Sequence, residues 1–178
     1  MGKAFEHFKT ITHHRHLVMV NCFKVGLYWQ GLTHDLSKYN PVEFRVGAKY
    51  YQGTRSPNNA EREDTGLSLA WLHHKGRNKH HFEYWIDYSL DKKEGLAGML
   101  MPEKYVVEMV MDRIAACKVY MGDDYTSSSP LEYYSRGKGR YLMHPQTMEL
   151  LERLLTMLAE EGEDITFDYI RREVLHNK

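Results

Sequence analysis

The chain has 178 residues and a mass of 21.0 kDa, which is the size of one ordinary domain and is enough to bury a core without disulfides or a structural metal. Its 24 basic and 24 acidic residues give a formal net charge of zero, which argues against nucleic acid or anionic lipid as a partner. No stretch approaches the roughly 18 uninterrupted apolar residues of a membrane span, and the N-terminus lacks the charged and then apolar order of a signal peptide. We therefore expect a soluble, cytoplasmic protein with no membrane partner.

Histidine is the unusual component of this sequence. Eleven histidines are present, and nine of them lie between His7 and His81. Most of these nine are clustered, as His13-His14-x-His16, His73-His74 and His80-His81. Clusters of imidazoles are typical of metal sites, because neutral imidazole is the commonest metal ligand. The two cysteines lie apart in apolar helical patterns, which indicates reduced core thiols.

The first predicted element is a helix over about residues 5–25. One face of it carries a continuous stripe formed by Ile11, His14, Val18, Cys22 and Val25. On an ideal helix, His13 and His16 point about 100° and 200° away from His14. We therefore expect His14 to face the interior, either as a core histidine bonded to a carbonyl group or as a metal ligand.

A His-Asp dyad follows at His34 and Asp35, after a glycine-containing break over residues 26–32. Neighbouring side chains reach one cation only where the backbone turns sharply, since neither a helix nor a strand points them the same way. The dyad is therefore predicted at a helix end. The sequence Asn40-Pro41-Val42-Glu43 has the pattern of a capping box with proline at the first helical position. It predicts a helix over about residues 41–51.

A second chemical centre is predicted over residues 71–85. A helix is expected from Pro57 to about His74, although Gly66 weakens it. The segment that follows combines four histidines with several cationic and aromatic side chains, and Gly76 permits a turn between the histidine pairs. It is either a loop that carries metal ligands or substrate-binding groups, or an aromatic core segment with solvated basic residues.

The clearest predicted helix runs from Pro102 to about Met121. Five of its side chains share one face, namely Tyr105, Met109, Asp112, Ala116 and Val119. Burying the ionised Asp112 without a partner costs several kcal/mol, and a metal shared with His34 and Asp35 would remove that cost. Residues 122–146 are predicted as a loop region with a short helix near 130–134, and two helices follow at about 145–161 and 166–176.

Taken in chain order, the pattern of one helix-borne histidine, the dyad, two histidine pairs and a late aspartate resembles the HD-domain superfamily of metal-dependent phosphohydrolases. In that superfamily a lysine commonly follows the dyad by three residues, as Lys38 follows Asp35 here. The resemblance covers about residues 5–121. It implies an all-α fold, a single-domain helical bundle of HD-domain type, with residues 122–178 adding a loop and two helices. Residues 13–88 are also similar to an uncharacterised family of small bacterial and phage proteins.

The resemblance implies two sets of ligands. The first metal would be bound by His14, His34, Asp35 and Asp112. The second metal, or the substrate phosphate, would be bound by His74, His80 and His81. Only nineteen residues lie between His14 and His34, fewer than we expect for the superfamily, so that His13 and His16 remain alternatives for the first ligand.

The expected cofactor is one or two divalent transition-metal ions. Mixed imidazole and carboxylate ligation suits Mn²⁺, Fe²⁺, Zn²⁺, Co²⁺ or Ni²⁺ better than Mg²⁺. We expect Lys38 to stabilise charge on a phosphoryl group and Glu83 to act as a base or to anchor a ligand, with an exposed surface role as the alternative for both. The residues expected to bind the substrate phosphate are Lys75, Arg77 and Lys79.

The leading functional hypothesis is a hydrolase that acts on a small phosphorylated molecule, in particular a nucleotide. One alternative is an HD-type di-iron oxygenase, because redox-active metals with His and Asp ligands can bind O₂. Another is a non-catalytic, metal-containing module that binds a partner through the aromatic and basic segment. The sequence leaves open whether the protein is a monomer or a homodimer.

Overall fold

The computed structural model describes residues 2–91, 93 and 95–175. Within these residues the chain forms eight α-helices and one short hairpin, which confirms the predicted all-α class. The helices are α1 (Lys3–Lys24), α2 (Tyr28–Thr33), α3 (Pro41–Tyr50), α4 (Pro57–Thr65), α5 (Leu69–Lys75), α6 (Glu103–Met121), α7 (Ser129–Gly137) and α8 (Pro145–Tyr169). The hairpin pairs β1 (Ile86–Tyr88) with β2 (Leu96–Gly98) in antiparallel register. No described helix has both the length and the apolar character needed to cross a membrane.

Helix α6 occupies the centre of the fold, where it packs against α1, α7 and α8. Its side chains are apolar around most of its circumference, as expected for a helix with neighbours on several sides. The fully buried core combines α1, α6 and α8 through Val18, Cys22, Val110, Met111, Ile114, Leu151, Leu154, Leu155 and Leu158. On the other side of α1 lies α3, which also contacts α4 and α5. Helix α1 therefore joins the N-terminal helices to the main core.

The start of the chain follows the predicted pattern. All five members of the α1 stripe are buried, and the helix ends just before Gly26, whose φ of +86° suits glycine. Helix α3 begins after Asn40, whose Oδ1 accepts a hydrogen bond of 3.0 Å from the backbone nitrogen of Val42. The predicted role of Glu43, the last residue of the capping box, is wrong. The carboxylate of Glu43 points into the protein and binds histidines instead of the helix end.

The predicted helix over residues 57–74 is two helices, because two local signals interrupt it. Gly66 adopts a φ of +83° and ends α4, and the Ser68 hydroxyl accepts a hydrogen bond of 3.0 Å from Trp71 to begin α5. The break allows α5 to turn against α3. This turn brings His74 within 2.8 Å of Glu43.

The C-terminal segment agrees with the prediction of two helices with a break after Glu161. Two helical stretches make up α8, and they meet at a kink at Gly162, where φ is +80° and ψ is −179°, so the break is one residue rather than four. A π-helical turn over Ile170–Val174 follows. The predicted end of this segment at His176 lies outside the described residues.

The kink predicts a specific effect on stability. Only glycine readily adopts the backbone angles of Gly162, so Gly162→Ala should destabilise the fold by about 1–3 kcal/mol. Thermal unfolding of the purified variant measures this loss. Gly139→Ala is the matched control, because Gly139 lacks a positive φ and an added Cβ would meet no described atom within 4 Å. Equal melting temperatures for the two variants would contradict the role assigned to the kink.

Candidate metal centre

The dyad sits on a sharp turn between two short helical segments. His34 ends α2, and Asp35 follows with φ 51° and ψ 27°, the one positive φ at a non-glycine position among the described residues. Aspartate tolerates this left-handed conformation better than most residues. Arg15 of α1 secures the turn, since its Nε donates to the His34 carbonyl oxygen at 2.7 Å and its Nη2 to that of Leu32 at 3.1 Å. The backbone therefore directs both dyad side chains towards the same point, as the sequence predicted.

The first group of converging side chains comes from α1, the dyad and α6. Ligand atoms of His14, His34, Asp35 and Asp112 all lie within 4.8 Å of one another. The Nε2 atom of His14 is 3.0 Å from Asp112 Oδ1, and that of His34 is 3.4 Å from Asp35 Oδ2. One ion with bonds of about 2.0–2.3 Å could reach all four after small adjustments. The structure thus brings together the four residues of the first predicted set.

The alternatives for the first ligand are resolved by the orientation of α1. His13 and His16 are exposed on the outer side of the helix, whereas His14 is 6% exposed and points towards Asp112. His14 is therefore the histidine of α1 that the fold presents to the dyad.

A second group shares Asp35 with the first. Ligand atoms of Asp35, His74, His80 and His81 also lie within 4.8 Å of one another. Asp35 Oδ1 is 3.3 Å from His74 Nε2 and 3.5 Å from His80 Nε2, whereas Oδ2 faces His34. The two oxygens of one carboxylate therefore serve two different groups, which is the arrangement of a bridging ligand.

The buried polar atoms of both groups fit a cation. Six of them lack a well-aligned hydrogen bond, namely His14 Nε2, His34 Nε2, His80 Nε2, His81 Nε2 and both carboxylate oxygens of Asp35. Two of the six still lie close to a charged group, since Asp35 Oδ2 is 2.6 Å from the Lys38 ammonium and His14 Nε2 is 3.0 Å from Asp112 Oδ1. Buried polar atoms without partners are costly and rare in folded proteins. All six carry lone pairs that a divalent ion accepts, so the donor set of the two groups is suited to a metal.

Glu108 holds one histidine of each group. Its Oε1 lies 2.9 Å from His34 Nδ1 and 3.2 Å from His80 Nδ1. An ionised carboxylate can only accept hydrogen bonds, so both rings donate from Nδ1 and keep the Nε2 lone pair for the centre. Sequence reasoning missed Glu108. Its position four residues before Asp112, one helical turn away on α6, is the signal that could have identified it.

Glu43 likewise accepts hydrogen bonds from two histidine rings, one of which belongs to the second group of ligand atoms. Its Oε2 accepts from His74 Nδ1 at 2.8 Å, and its Oε1 accepts from His73 Nδ1 at 2.6 Å. Burial would raise the pKa of Glu43, but the hydrogen bonds from His74 and His73 outweigh it and lower the pKa. The carboxylate therefore stays ionised and fixes the orientation of the His74 ring.

Burial and neighbouring charges shift the pKa values of Asp35 and His34 in opposite directions. Burial raises the pKa of Asp35, but His34 and Lys38 outweigh it and hold the pKa well below its ordinary value. Burial lowers the pKa of His34, but Asp35 and Asp112 raise it well above the ordinary value. His14, by contrast, has a pKa lowered to about 4, mainly by burial. A proton on His34 and a divalent cation would therefore compete for the same carboxylates.

The centre lies in the wall of a cavity of about 730 Å³. Lys38 and Glu83, the two predicted catalytic residues, both line it. The Lys38 ammonium is 2.6 Å from Asp35 Oδ2, and Glu83 Oε2 is buried without a hydrogen-bond partner. Of the five side chains predicted to share one face of α6, four line this cavity, namely Met109, Asp112, Ala116 and Val119. Met109 also belongs to the buried core.

The predicted phosphate-binding cations are placed differently. Lys75, Arg77 and Lys79 are not among the described residues that line the cavity. Arg77 and Lys79 are exposed, and the Lys79 ammonium lies 5.8 Å from the centre of the Tyr84 ring. The cavity is instead lined by four arginines that sequence reasoning did not select, namely Arg55, Arg62, Arg113 and Arg136. They come from separate elements, and no short motif connects them.

Comparison with known proteins gives a family but no reaction. No curated protein and no solved structure matches the chain. The model of a family of unknown function, DUF5662, matches residues 3–157, a range that includes both groups of ligand atoms. This match agrees with the expected similarity to an uncharacterised family, and it does not itself connect the chain to the HD-domain superfamily. Over most of its length, the chain belongs to the family of unknown function DUF5662.

Proposed function

We propose that this protein is a metal-dependent phosphohydrolase that acts on a small phosphorylated molecule, in particular a nucleotide. The observation that carries the proposal is the Asp35 carboxylate, whose two oxygens face two groups of ligand atoms. Two metals held about 3.5–4 Å apart suit phosphoryl transfer, because they stabilise both the attacking and the leaving oxygen. The resemblance of the ligand order to the HD-domain superfamily supports the same reaction class.

Each residue of the centre has a definite role in this proposal. His14, His34, Asp35 and Asp112 would hold one divalent ion, and Asp35 would share a second ion with His74, His80 and His81. When bound, such ions lower the pKa of a water molecule towards roughly 7 and polarise a phosphoryl oxygen. Glu108 and Glu43 keep the imidazole rings in the required tautomer and orientation.

Lys38 and Glu83 complete the chemistry on the cavity side. Asp35 fixes the Lys38 ammonium at 2.6 Å, which leaves its other protons free to donate to a non-bridging phosphoryl oxygen. Burial raises the pKa of Glu83, and its Oε2 lacks a partner within the protein. We infer that Glu83 holds a water molecule or a substrate hydroxyl group in the cavity.

The cavity favours a substrate with an aromatic part. Its volume of about 730 Å³ lies within the range of about 300–1,000 Å³ of small-molecule sites. Six large aromatic side chains line it, namely Tyr51, Trp71, Phe82, Tyr120, Tyr133 and Tyr141. Stacking on aromatic rings is a common way to bind bases whatever their identity. A nucleotide would therefore combine its phosphate at the metal centre with its base against these rings.

Metal stoichiometry tests the bridging role of Asp35. The wild-type protein, loaded with Mn²⁺ or Zn²⁺, should hold two ions per chain. Asp112→Ala removes a ligand of the first group alone and should leave one ion, whereas Asp35→Ala removes a ligand of both groups and should leave none. Elemental analysis of protein purified without an affinity-metal resin measures the ratio, and circular dichroism checks the fold. Two ions bound to Asp35→Ala would refute the shared site.

Glu108→Gln tests the support of the two histidines. A neutral amide orients the His34 and His80 rings less firmly, so the affinity for both ions should fall about 10- to 100-fold. Isothermal titration with Zn²⁺ measures the change. Glu160→Gln, at an exposed position two residues before the kink in α8, removes the same charge and should bind like the wild type. Unchanged affinity in Glu108→Gln would show that the carboxylate does not support the centre.

Lys38→Ala separates catalysis from metal binding. If its ammonium stabilises charge in the transition state, kcat/KM for phosphate release should fall by about 10² to 10³ while the saturating metal content stays close to the wild type. The Tm of the metal-free protein should fall, because the buried Asp35 loses its ion-pair partner. Lys104→Ala on the exposed side of α6 serves as the control. Full activity in Lys38→Ala would remove this lysine from the mechanism.

The same assays distinguish the two alternative functions. An iron-loaded protein with an oxygen-dependent absorbance and no phosphate release from nucleotides or sugar phosphates would be an oxygenase. Bound metal without turnover of any of these compounds would identify a binding module. Phosphate release that depends on both Asp35 and added metal would support the hydrolase.

A further inference from the structure

The four arginines of the cavity differ in their partners. Arg55 is paired with Glu63 through two hydrogen bonds of 2.8 and 2.6 Å, and Arg62 donates to the Asn59 side chain at 3.0 Å. Arg113 and Arg136 form no ion pair with a carboxylate among the described residues, although both line the cavity. Among the described residues these two donate no hydrogen bond to a side-chain oxygen, whereas Arg62 has the neutral Asn59 amide as its partner. Arg113 does act on the nearby Glu83, because burial raises the pKa of that carboxyl and Arg113 lowers it.

Arg113 is held in place by weak contacts only. Its guanidinium carbon lies 5.7 Å from the centre of the Tyr134 ring, and its Nη2 lies 3.8 Å from the sulfur of Met109. Its Nε is buried and has no hydrogen-bond partner. A guanidinium group carries five N–H donors, so most of its hydrogen-bonding capacity is unused. Burying an unpaired donor is costly, and an anionic ligand would remove that cost.

The two guanidinium groups line the same cavity. Arg113 of α6 rests against the buried Tyr134 ring of α7, and Arg136 lies two residues later on α7, exposed and about 200° around the helix from that ring. Burial raises the pKa of the Cys117 thiol, and both Arg113 and Arg136 act against that rise. Both cations are therefore close to one side chain of the cavity wall. The nearby carboxylate of Glu132 is engaged at least in part, because its Oε1 accepts a hydrogen bond from Ser128.

This region is separate from the metal centre. Arg113 follows Asp112 on α6, and successive helical residues point about 100° apart. Asp112 points to His14 of α1, whereas Arg113 points to Tyr134 of α7. At the centre itself, Lys38 is the cation beside Asp35. The pair formed by Arg113 and Arg136 thus serves a different part of the cavity.

We propose that Arg113 and Arg136 form a second anion-binding subsite, which holds a phosphate group other than the one at the metal centre, so that the substrate carries at least two phosphate groups. The planar guanidinium group matches the geometry of phosphate oxygens, which favours phosphate as the bound anion. The geometry of the cavity supports the anion-binding subsite. The inference that the substrate carries at least two phosphate groups rests, in addition, on the proposed hydrolase function.

Anion binding without metal tests the subsite directly. Protein dialysed against a chelator is titrated with inorganic pyrophosphate at pH 8 in a calorimeter. Arg113→Gln and Arg136→Gln should each weaken binding by about tenfold or more, as for loss of a charge-assisted hydrogen bond. Arg140→Gln should bind like the wild type, because Arg140 is exposed and is not among the described residues lining the cavity. Equal affinities in wild type and both cavity variants would overturn the subsite.

Two substrates then test the second phosphate group. In metal-loaded protein, Arg113→Gln should raise the KM for a nucleoside diphosphate about tenfold or more and leave that for p-nitrophenyl phosphate unchanged. Arg136→Gln should show the same difference in KM between the two compounds. Because Arg136 is exposed, this substitution should have little effect on folding. Equal losses on both compounds would overturn the two-phosphate substrate. If the wild type hydrolyses neither compound while pyrophosphate binding depends on Arg113, the subsite stands and the hydrolase function fails.

Discussion

The whole centre depends on one buried carboxylate, that of Asp35. Its backbone adopts a left-handed conformation at the end of α2, and this turn is what lets His34 and Asp35 face the same way. The side chain is 1% exposed and directs one oxygen to each of two groups of histidines. Removing it would leave buried imidazoles without a common partner, so the local fold and the candidate function rest on the same interaction.

The supporting carboxylates explain how a polar cluster fits inside a helical protein. Glu108 and Glu43 each accept hydrogen bonds from the Nδ1 atoms of two histidine rings. For His34, His80 and His74 this leaves the Nε2 atom to the centre. Buried groups that break the apolar pattern of a core are expected at functional sites. Glu108 also belongs to α6, the helix that organises the hydrophobic core. The packing of α6 therefore sets both the core and the distance between its carboxylates and α1.

In the proposed function, different helices supply the chemistry and the recognition. The candidate metal ligands come from α1, the dyad turn, α5 and the segment after it, and α6. Arg113 and Arg136 lie on α6 and α7, and they line the same cavity as several aromatic rings. A phosphorylated substrate would then have several independent contacts. Changes on α7 would alter the specificity without altering the candidate metal ligands.

The sequence alone determined the helical class, the inward direction of His14 and the sharp turn at the dyad, because periodicity, glycine positions and capping residues act over a few neighbouring positions. It also selected Asp112, because an ionised carboxylate is costly to bury without a partner, whereas His74, His80 and His81 came from the resemblance of the pattern to the HD-domain superfamily. Only the tertiary structure decided that Glu43 and Glu108 orient the histidines, that α5 breaks away from α4, and which cations face the cavity. These features depend on contacts between residues far apart in the chain, such as Glu108 with His34, and no local pattern specifies which distant side chains will meet.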